Sequence, residues 1–257
     1  MNKKAVWVAF GVCFFLALGY YFIPKPKILE NFTFSSAVYD RRGKLLRLTL
    51  SKDEKYRLFT PVDKIPETMK QALLLYEDKN FYSHHGVDFF SILRAAKNTF
   101  AGGRKEGAST ITMQLARLIY NIDSSTVAGK MHQMLRAIQL ERHYSKEEIL
   151  EGYFNLAPYG DNIEGVGSAS LIYFGHAADK LTLPEALSLA VIPQNPAKRG
   201  PSRGQGALDT ARRRLADIWK KTYPKEEQNA YLSLPVRFYT KRDIPFAAPH
   251  LTGFVLN

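Results

Sequence analysis

From Ala5 to Ile23 the chain runs for 19 residues without a charge, AVWVAFGVCFFLALGYYFI. About 20 apolar residues span a bilayer as a helix, so this run is long enough to cross one. Tyr20, Tyr21 and Phe22 gather at its far end, where an interfacial aromatic belt sits. A cleaved signal peptide needs a shorter apolar core and a small-residue cleavage site. Pro24-Lys25-Pro26-Lys27 follows instead. Lys3 and Lys4 on one side nearly balance Lys25 and Lys27 on the other. A four-residue head before a large domain favours the N-in orientation. The expectation is a cytoplasmic head over 1–4, a single-pass transmembrane anchor over 5–23 and a linker over 24–36. All that follows then lies on the extracytoplasmic, periplasmic side of the cytoplasmic membrane.

The formal net charge is +12, and Lys3 and Lys4 account for only two of it. The excess therefore belongs to the domain and asks for an anionic partner: nucleic acid, anionic lipid or a phosphate-bearing substrate. Aromatic residues are not interleaved with the basic ones as a single-strand binding platform requires, and the anchor takes the domain away from nucleic acid. Cys13 is the single cysteine, which excludes a disulfide scaffold and a cysteine-rich zinc cluster. The six histidines show no metal spacing: His84 and His85 are adjacent and no H-E-x-x-H occurs. G-x-S-x-G, P-loop and dinucleotide fingerprints are also missing.

Ala37 to Leu50 alternates around Arg42-Gly43 and reads as a short hairpin. From Pro66 onward the spacing is helical. Helices are expected over Pro66 to Asn80, Val87 to Phe100, Thr110 to Tyr120 and Ala128 to His143, then over Lys146 to Leu156, Glu164 to Phe174, Leu183 to Val191 and Ala207 to Lys221. Ser145 with Glu148, and Thr182 with Glu185, form capping boxes. The fold class is mainly α, one helical domain after a small β-hairpin and one transmembrane helix.

Three places do not read as plain core. Leu74, Glu77 and Phe81 share helical spacing, so an acid extends an apolar stripe. An acid at a helix C-terminus opposes the macrodipole, so its placement there does not serve stability. The loop 102–109 feeds a helix that Ser109 or Thr110 can cap, and Thr110, Gln114 and Arg117 follow one another on one face. Hydroxyl, amide and guanidinium groups at a helix N-terminus suit an oxygen-rich anion. In the next helix Lys130 and Gln133 stand three apart, able to act together, while Met131, Met134, Leu135 and Ile138 make the apolar side. Each feature alone has a bland alternative: a partly exposed acid, a solvated face, an ordinary amphipathic helix.

Their order is more specific. Glu77-Asp78-Lys79-Asn80-Phe81-Tyr82-Ser83-His84-His85-Gly86-Val87-Asp88 resembles the first motif of the family 51 glycosyltransferases. These are the peptidoglycan glycosyltransferases, which occur alone or as the N-terminal domain of class A penicillin-binding proteins. Gly107-Ala108-Ser109-Thr110-Ile111-Thr112-Met113-Gln114-Leu115-Ala116-Arg117 resembles the second motif, and Lys130 to Gln133 falls where the third lies. Ile149 to Asn155 with Tyr159-Gly160 resembles the fourth. Leu183, Glu185-Ala186, Leu189-Ala190 and Pro193-Gln194-Asn195-Pro196 resemble the fifth. The resemblance covers roughly Ala37 to Pro201. Met113 stands where the family commonly has Gln, Arg117 where it has Lys, Gly129 where it has Arg and Gln133 where it has a second Glu. With Ala247-Ala248-Pro249-His250 these departures resemble the 1C branch. That branch normally continues into a transpeptidase domain; the 257 residues contain no S-x-x-K acyl-transfer motif and read as monofunctional or truncated.

The resemblance implies a lysozyme-like glycosyltransferase domain over 37–205, followed over 206–257 by helices and the stub of a linker. It implies polymerisation of lipid II into β-1,4 glycan strands, with inversion and release of undecaprenyl pyrophosphate. By motif match Glu77 is the general base, and Asp78, Ser109, Thr110, Gln114, Arg117, Lys130 and Gln133 bind substrate. Glu148 also matches an acid of the family, and its capping box accounts for it. A divalent cation, magnesium or manganese, can assist a pyrophosphate, but no dedicated ligand set is visible and no metal residue is assigned. Expected partners are lipid II, the growing strand, the membrane and cell-wall synthesis proteins. Two alternatives stay open: a lytic muramidase, and a non-catalytic scaffold that binds lipid II.

Overall fold

The hairpin around Arg42-Gly43 forms, with β1 (Ala37–Tyr39) antiparallel to β2 (Leu45–Leu48). Asp40 closes its turn by accepting from the Arg42 and Lys44 N–H groups. The structure, a computed structural model, describes Trp7, Gly11, Gly19, Tyr20 and residues 22–100, 109–204, 206–225, 227–232 and 234–256. Most of the expected anchor, 5–23, and the loop 101–108 lie outside the described residues. Among the described residues no helix is long and apolar enough to cross a membrane.

A second small sheet was not foreseen. β3 (Tyr56–Arg57) runs parallel to β5 (Ile163–Glu164), and β4 (Pro158–Gly160) runs antiparallel to β5. Strands of two or three residues are too short to show a period. Arg57 fastens this sheet from within. Its guanidinium is buried and bonds Asp53, Glu164 and the Thr33 carbonyl. A buried guanidinium requires such partners on every side.

The helices are α1 (Glu67–Glu77), α2 (Phe89–Phe100), α3 (Ile111–Tyr120), α4 (Val127–His143), α5 (Lys146–Leu156) and α6 (Val166–Phe174). After them come α7 (Leu183–Val191), the single turn α8 (Pro196–Arg199), α9 (Gly206–Thr222) and α10 (Pro249–Leu256). Both capping boxes are present: Ser145 with Glu148, and Thr182 with Glu185. α1, α7 and α9 pack together, and α3 packs on α4 and α5. α9 is held to α1 and α7 by Leu208, Leu215 and Trp219, all buried. At roughly 2 kcal/mol for each such side chain, burial outweighs any cap, worth about 1 kcal/mol.

α4 corrects the expected apolar side. Met131 and Leu135 are exposed, whereas Gln133, Ala137 and Leu140 are buried. Met134 and Ile138 of the expected side do pack against the core, and the inward face carries the polar Gln133 and Gln139 as well. The last turn of α4 also grips the chain leaving the apolar run. Arg142 donates to the Tyr20 and Ile23 carbonyls, Gln139 to that of Pro24 and the Tyr144 hydroxyl to that of Pro26. Nearby in sequence to the cleft described below, α2 exposes Phe89, Phe90 and Leu93.

Candidate active site

Glu77 is the last residue of α1 and Phe81 lies in the following 3-10 turn, so the two do not share one helix as the spacing suggested. The chain turns at Asp78, whose buried carboxylate accepts from the Ile111 N–H at 2.9 Å and from His84 Nε2 at 3.0 Å. Ile111 opens α3, and its N–H is one of the donors a helix start leaves without a partner. An acid there is also favoured by the helix dipole. Asp78 thus locks the end of α1 to the start of α3. Thr110 caps α3, accepting from the Met113 N–H, and donates to the Gly86 carbonyl. The hydroxyl of Thr110 and the carboxylate of Asp78 are committed to the scaffold, and the groups beside them are aimed by it.

One turn into α3, Gln114 donates from Nε2 to Glu77 Oε2 at 2.7 Å. Glu77 Oε1 is sealed from solvent and has no hydrogen-bond partner among the described residues. Burial raises the Glu77 carboxyl from its ordinary 4.5 to about 7; the Gln114 bond and Arg199 oppose the rise, Asp78 adds to it and Arg117 opposes it. At neutral pH the group therefore stands near its own midpoint, where a carboxyl both takes and gives protons readily.

Ser109, Arg117, Lys130 and Gln133 meet on the other side of Glu77. With Gln114 they line a hollow of about 260 Å³ that Glu77 borders. Lys130 Nζ donates to Ser109 Oγ at 2.7 Å and to Gln133 Oε1 at 3.0 Å. Buried Gln133 is in turn fixed by donating to the Met113 carbonyl at 2.7 Å. Burial, and then Arg117, lower the Lys130 ammonium below its usual range. Gly129 has a steric reason: a Cβ there would lie 1.8 Å from the Asp123 carbonyl oxygen. A second hollow, about 500 Å³, opens on the far side of Glu77 between Lys79, Asn80, Asp88, Arg94 and Ser109. A cavity of about 640 Å³ lies elsewhere, between the start of α7 and Tyr231, Leu234, Val236 and Tyr239, and none of the groups of the site lines it.

Of the eight residues singled out from sequence, Glu77, Ser109, Gln114, Arg117, Lys130 and Gln133 line the hollow of about 260 Å³, and Asp78 and Thr110 line the second with Glu77 and Ser109. The structure adds two clusters. Tyr76 donates to Gln194, and Arg199 donates to the Tyr76 hydroxyl and the Val191 carbonyl, each at 2.7 Å. Tyr153, fully buried, donates to Gln114 Oε1 at 3.1 Å. Tyr153 and Gln194 lie inside quoted motifs, but no spacing rule connects residues so far apart in the chain. Among the described residues no group of three or more His, Cys, Asp or Glu side chains is placed to hold a metal ion.

The family model described as Transglycosylase matches residues 42–222. The chain belongs to the transglycosylase family. Its relatives include Penicillin-binding protein 1C of Escherichia coli (strain K12), 32% identical over all of this chain and 34% of that one. Penicillin-binding protein 1A of Aquifex aeolicus (strain VF5) is 38% identical over 74% of this chain and 26% of its own. This transglycosylase thus spans about a third of the length of the first relative and a quarter of the second. A crystal structure of Penicillin-Binding Protein 1A from Haemophilus influenzae aligns with a TM-score of 0.43 and 18% identity, over 87% of this chain and 23% of that one. The family assignment rests on the sequence matches. The chain's 257 residues hold no S-x-x-K motif.

Proposed function

We propose that this transglycosylase polymerises lipid II at the cytoplasmic membrane. The observation that carries the reading is the pairing of an unpartnered buried Glu77 Oε1 with a cationic hollow, lined by Arg117 and Lys130, that it borders. In the reaction the 4-hydroxyl of the acceptor GlcNAc attacks C1 of the donor MurNAc. Glu77 takes the hydroxyl proton as the new C–O bond forms and the configuration inverts. The bond from C1 to the lipid pyrophosphate breaks, and its electron pair leaves on the phosphate oxygen. Lys130, held on Ser109 and Gln133, and Arg117 stabilise the charge that develops there. Arg117 offers the same charge as lysine and a bidentate fork, which suits phosphate. Gln133 carries no charge of its own, so the charge of Lys130 stays available to the substrate.

Membrane placement is part of the same reading. The 5–23 run supplies an anchor of sufficient length. The grip on Tyr20, Ile23, Pro24 and Pro26 would hold the domain close to the bilayer, and exposed Phe89, Phe90 and Leu93 suit contact with it.

Glu77 near its midpoint also fits the acid of a lytic muramidase, because such an acid must be protonated at working pH. Incubation of the detergent-solubilised chain with labelled lipid II separates the two readings. Polymerisation predicts glycan strands that moenomycin suppresses, whereas the muramidase predicts soluble muropeptides released from purified sacculi. Binding of lipid II without either product would make the chain a scaffold.

A further inference from the structure

Gln114 makes two bonds whose directions depend on each other. Its Nε2 donates to Glu77 Oε2, and its Oε1 accepts from the Tyr153 hydroxyl. Tyr153 is carried there by α5, which closes on α3 beside Gly152. A Cβ at Gly152 would lie 2.5 Å from Ile28 Cγ2 and 3.2 Å from Leu115 Cδ2. The hydroxyl is buried with the rest of its ring, and no water can replace a lost partner cheaply.

We infer that Tyr153 is a positioning residue that fixes which way the Gln114 amide points, and through it holds Glu77 in the carboxylate form that receives the acceptor's proton. With the amide as it stands, Gln114 presents N–H to Glu77, and only an ionised or acceptor oxygen answers it. The flipped amide would present its carbonyl to Glu77 and suit a protonated carboxyl that donates. That flip would also face Tyr153 with an N–H, leaving the buried phenol hydrogen unpartnered, at the cost of desolvating it. Tyr153 therefore holds the Gln114 N–H on Glu77 Oε2 and biases Glu77 towards the carboxylate form, the form that can take the hydroxyl proton. Other charged and titratable groups act on Glu77 as well: Asp78 beside it, Arg117 on α3 and Arg199 on α8. None of them orients the amide, so removing the Tyr153 hydroxyl isolates the effect.

The role in turnover rests on the proposed polymerase reading; the orientation of the amide does not. The test therefore reads Glu77 directly. The full chain in detergent micelles, carrying ¹³C-labelled glutamate carboxyls, is titrated by NMR, with Glu77→Gln identifying the Glu77 signal. Tyr153→Phe keeps the ring and should raise the Glu77 midpoint by about 0.5–1 pH unit, one hydrogen bond's worth. Gln114→Leu should raise it at least as far, and Tyr153→Phe added to Gln114→Leu should raise it no further. In lipid II turnover the rising limb of kcat/KM against pH should move with the titration. An unmoved midpoint in a folded Tyr153→Phe protein, or an equal shift in the Gln114→Leu background, would overturn the inference. Should Tyr153→Phe not fold, an unmoved midpoint in Gln114→Leu overturns it alone. A shifted midpoint in a protein whose wild type does not polymerise lipid II would sink the proposed function and leave the positioning role standing.

Discussion

At the end of α1, Glu77 rests on a buried neutral pair: Gln114 of α3 and, behind it, Tyr153 of α5. On the α4 side, Lys130 and Arg117 are partly open to solvent and are supported by Ser109 and Gln133. Desolvation governs the first side, where it brings Glu77 to about 7. The second side carries the cations, Lys130 and Arg117, and is expected to act through their charge. A buried network tolerates little change because each member completes another's hydrogen bonds. A cationic hollow tolerates exchange of one cation or support for another, which is how Arg117 and Gln133 can stand where the family commonly has Lys and Glu.

The comparison can be broken by substitution, beginning where the effect is largest. Lys130→Ala removes the cation held at the leaving group and should lower kcat for lipid II by about 10²–10³-fold, the loss typical of one oriented stabilising group. Steady-state turnover checks it; a loss below threefold would mean that the α4 side does not act by charge. Next comes pH. The base must be ionised and its midpoint is about 7, so kcat/KM should fall about tenfold between pH 8 and pH 6. A flat profile over that range would deny the desolvated α1 side its role. Gln133→Ala frees Lys130 from one of its two partners and should cost about tenfold, through loss of orientation with the charge retained.

The smallest effect is on stability, and it has a definite sign. For an acid whose folded value lies above its unfolded one, the folded state holds the extra proton between about 4.5 and about 7. Stability from this group falls as pH rises through that window, and the whole cost is felt above it. Glu77→Gln should therefore stabilise the chain at pH 8 by about 1–3 kcal/mol and leave it nearly unchanged at pH 4. Thermal melts at the two pH values measure the difference. An equal effect at both would mean that the buried charge is not what the site sustains.

Much of this was legible in the sequence, and the gaps have physical causes. The capping boxes at Ser145 and Thr182 mark local geometry, and both helices start there. Glu77 stands out because an acid extends an apolar stripe, although α1 ends at that residue and Phe81 belongs to the next turn. On α4 the spacing marks Met134 and Ile138, which pack on the core, but not the exposure of Met131 and Leu135 or the burial of polar Gln133. Periodicity cannot see that the Met113 carbonyl satisfies Gln133. Tyr153 escaped notice for a similar reason: its partner lies 39 residues away on another helix.

The central claim is that Glu77 is the base of a lipid II polymerase. Its most direct test is the turnover of labelled lipid II by the full chain and by Glu77→Gln, compared at pH 8 in the same detergent. The account predicts glycan strands from the first and a rate at least about 10³-fold lower from the second, within the range set by a positioned general base. Strands formed at equal rates by both proteins would contradict it.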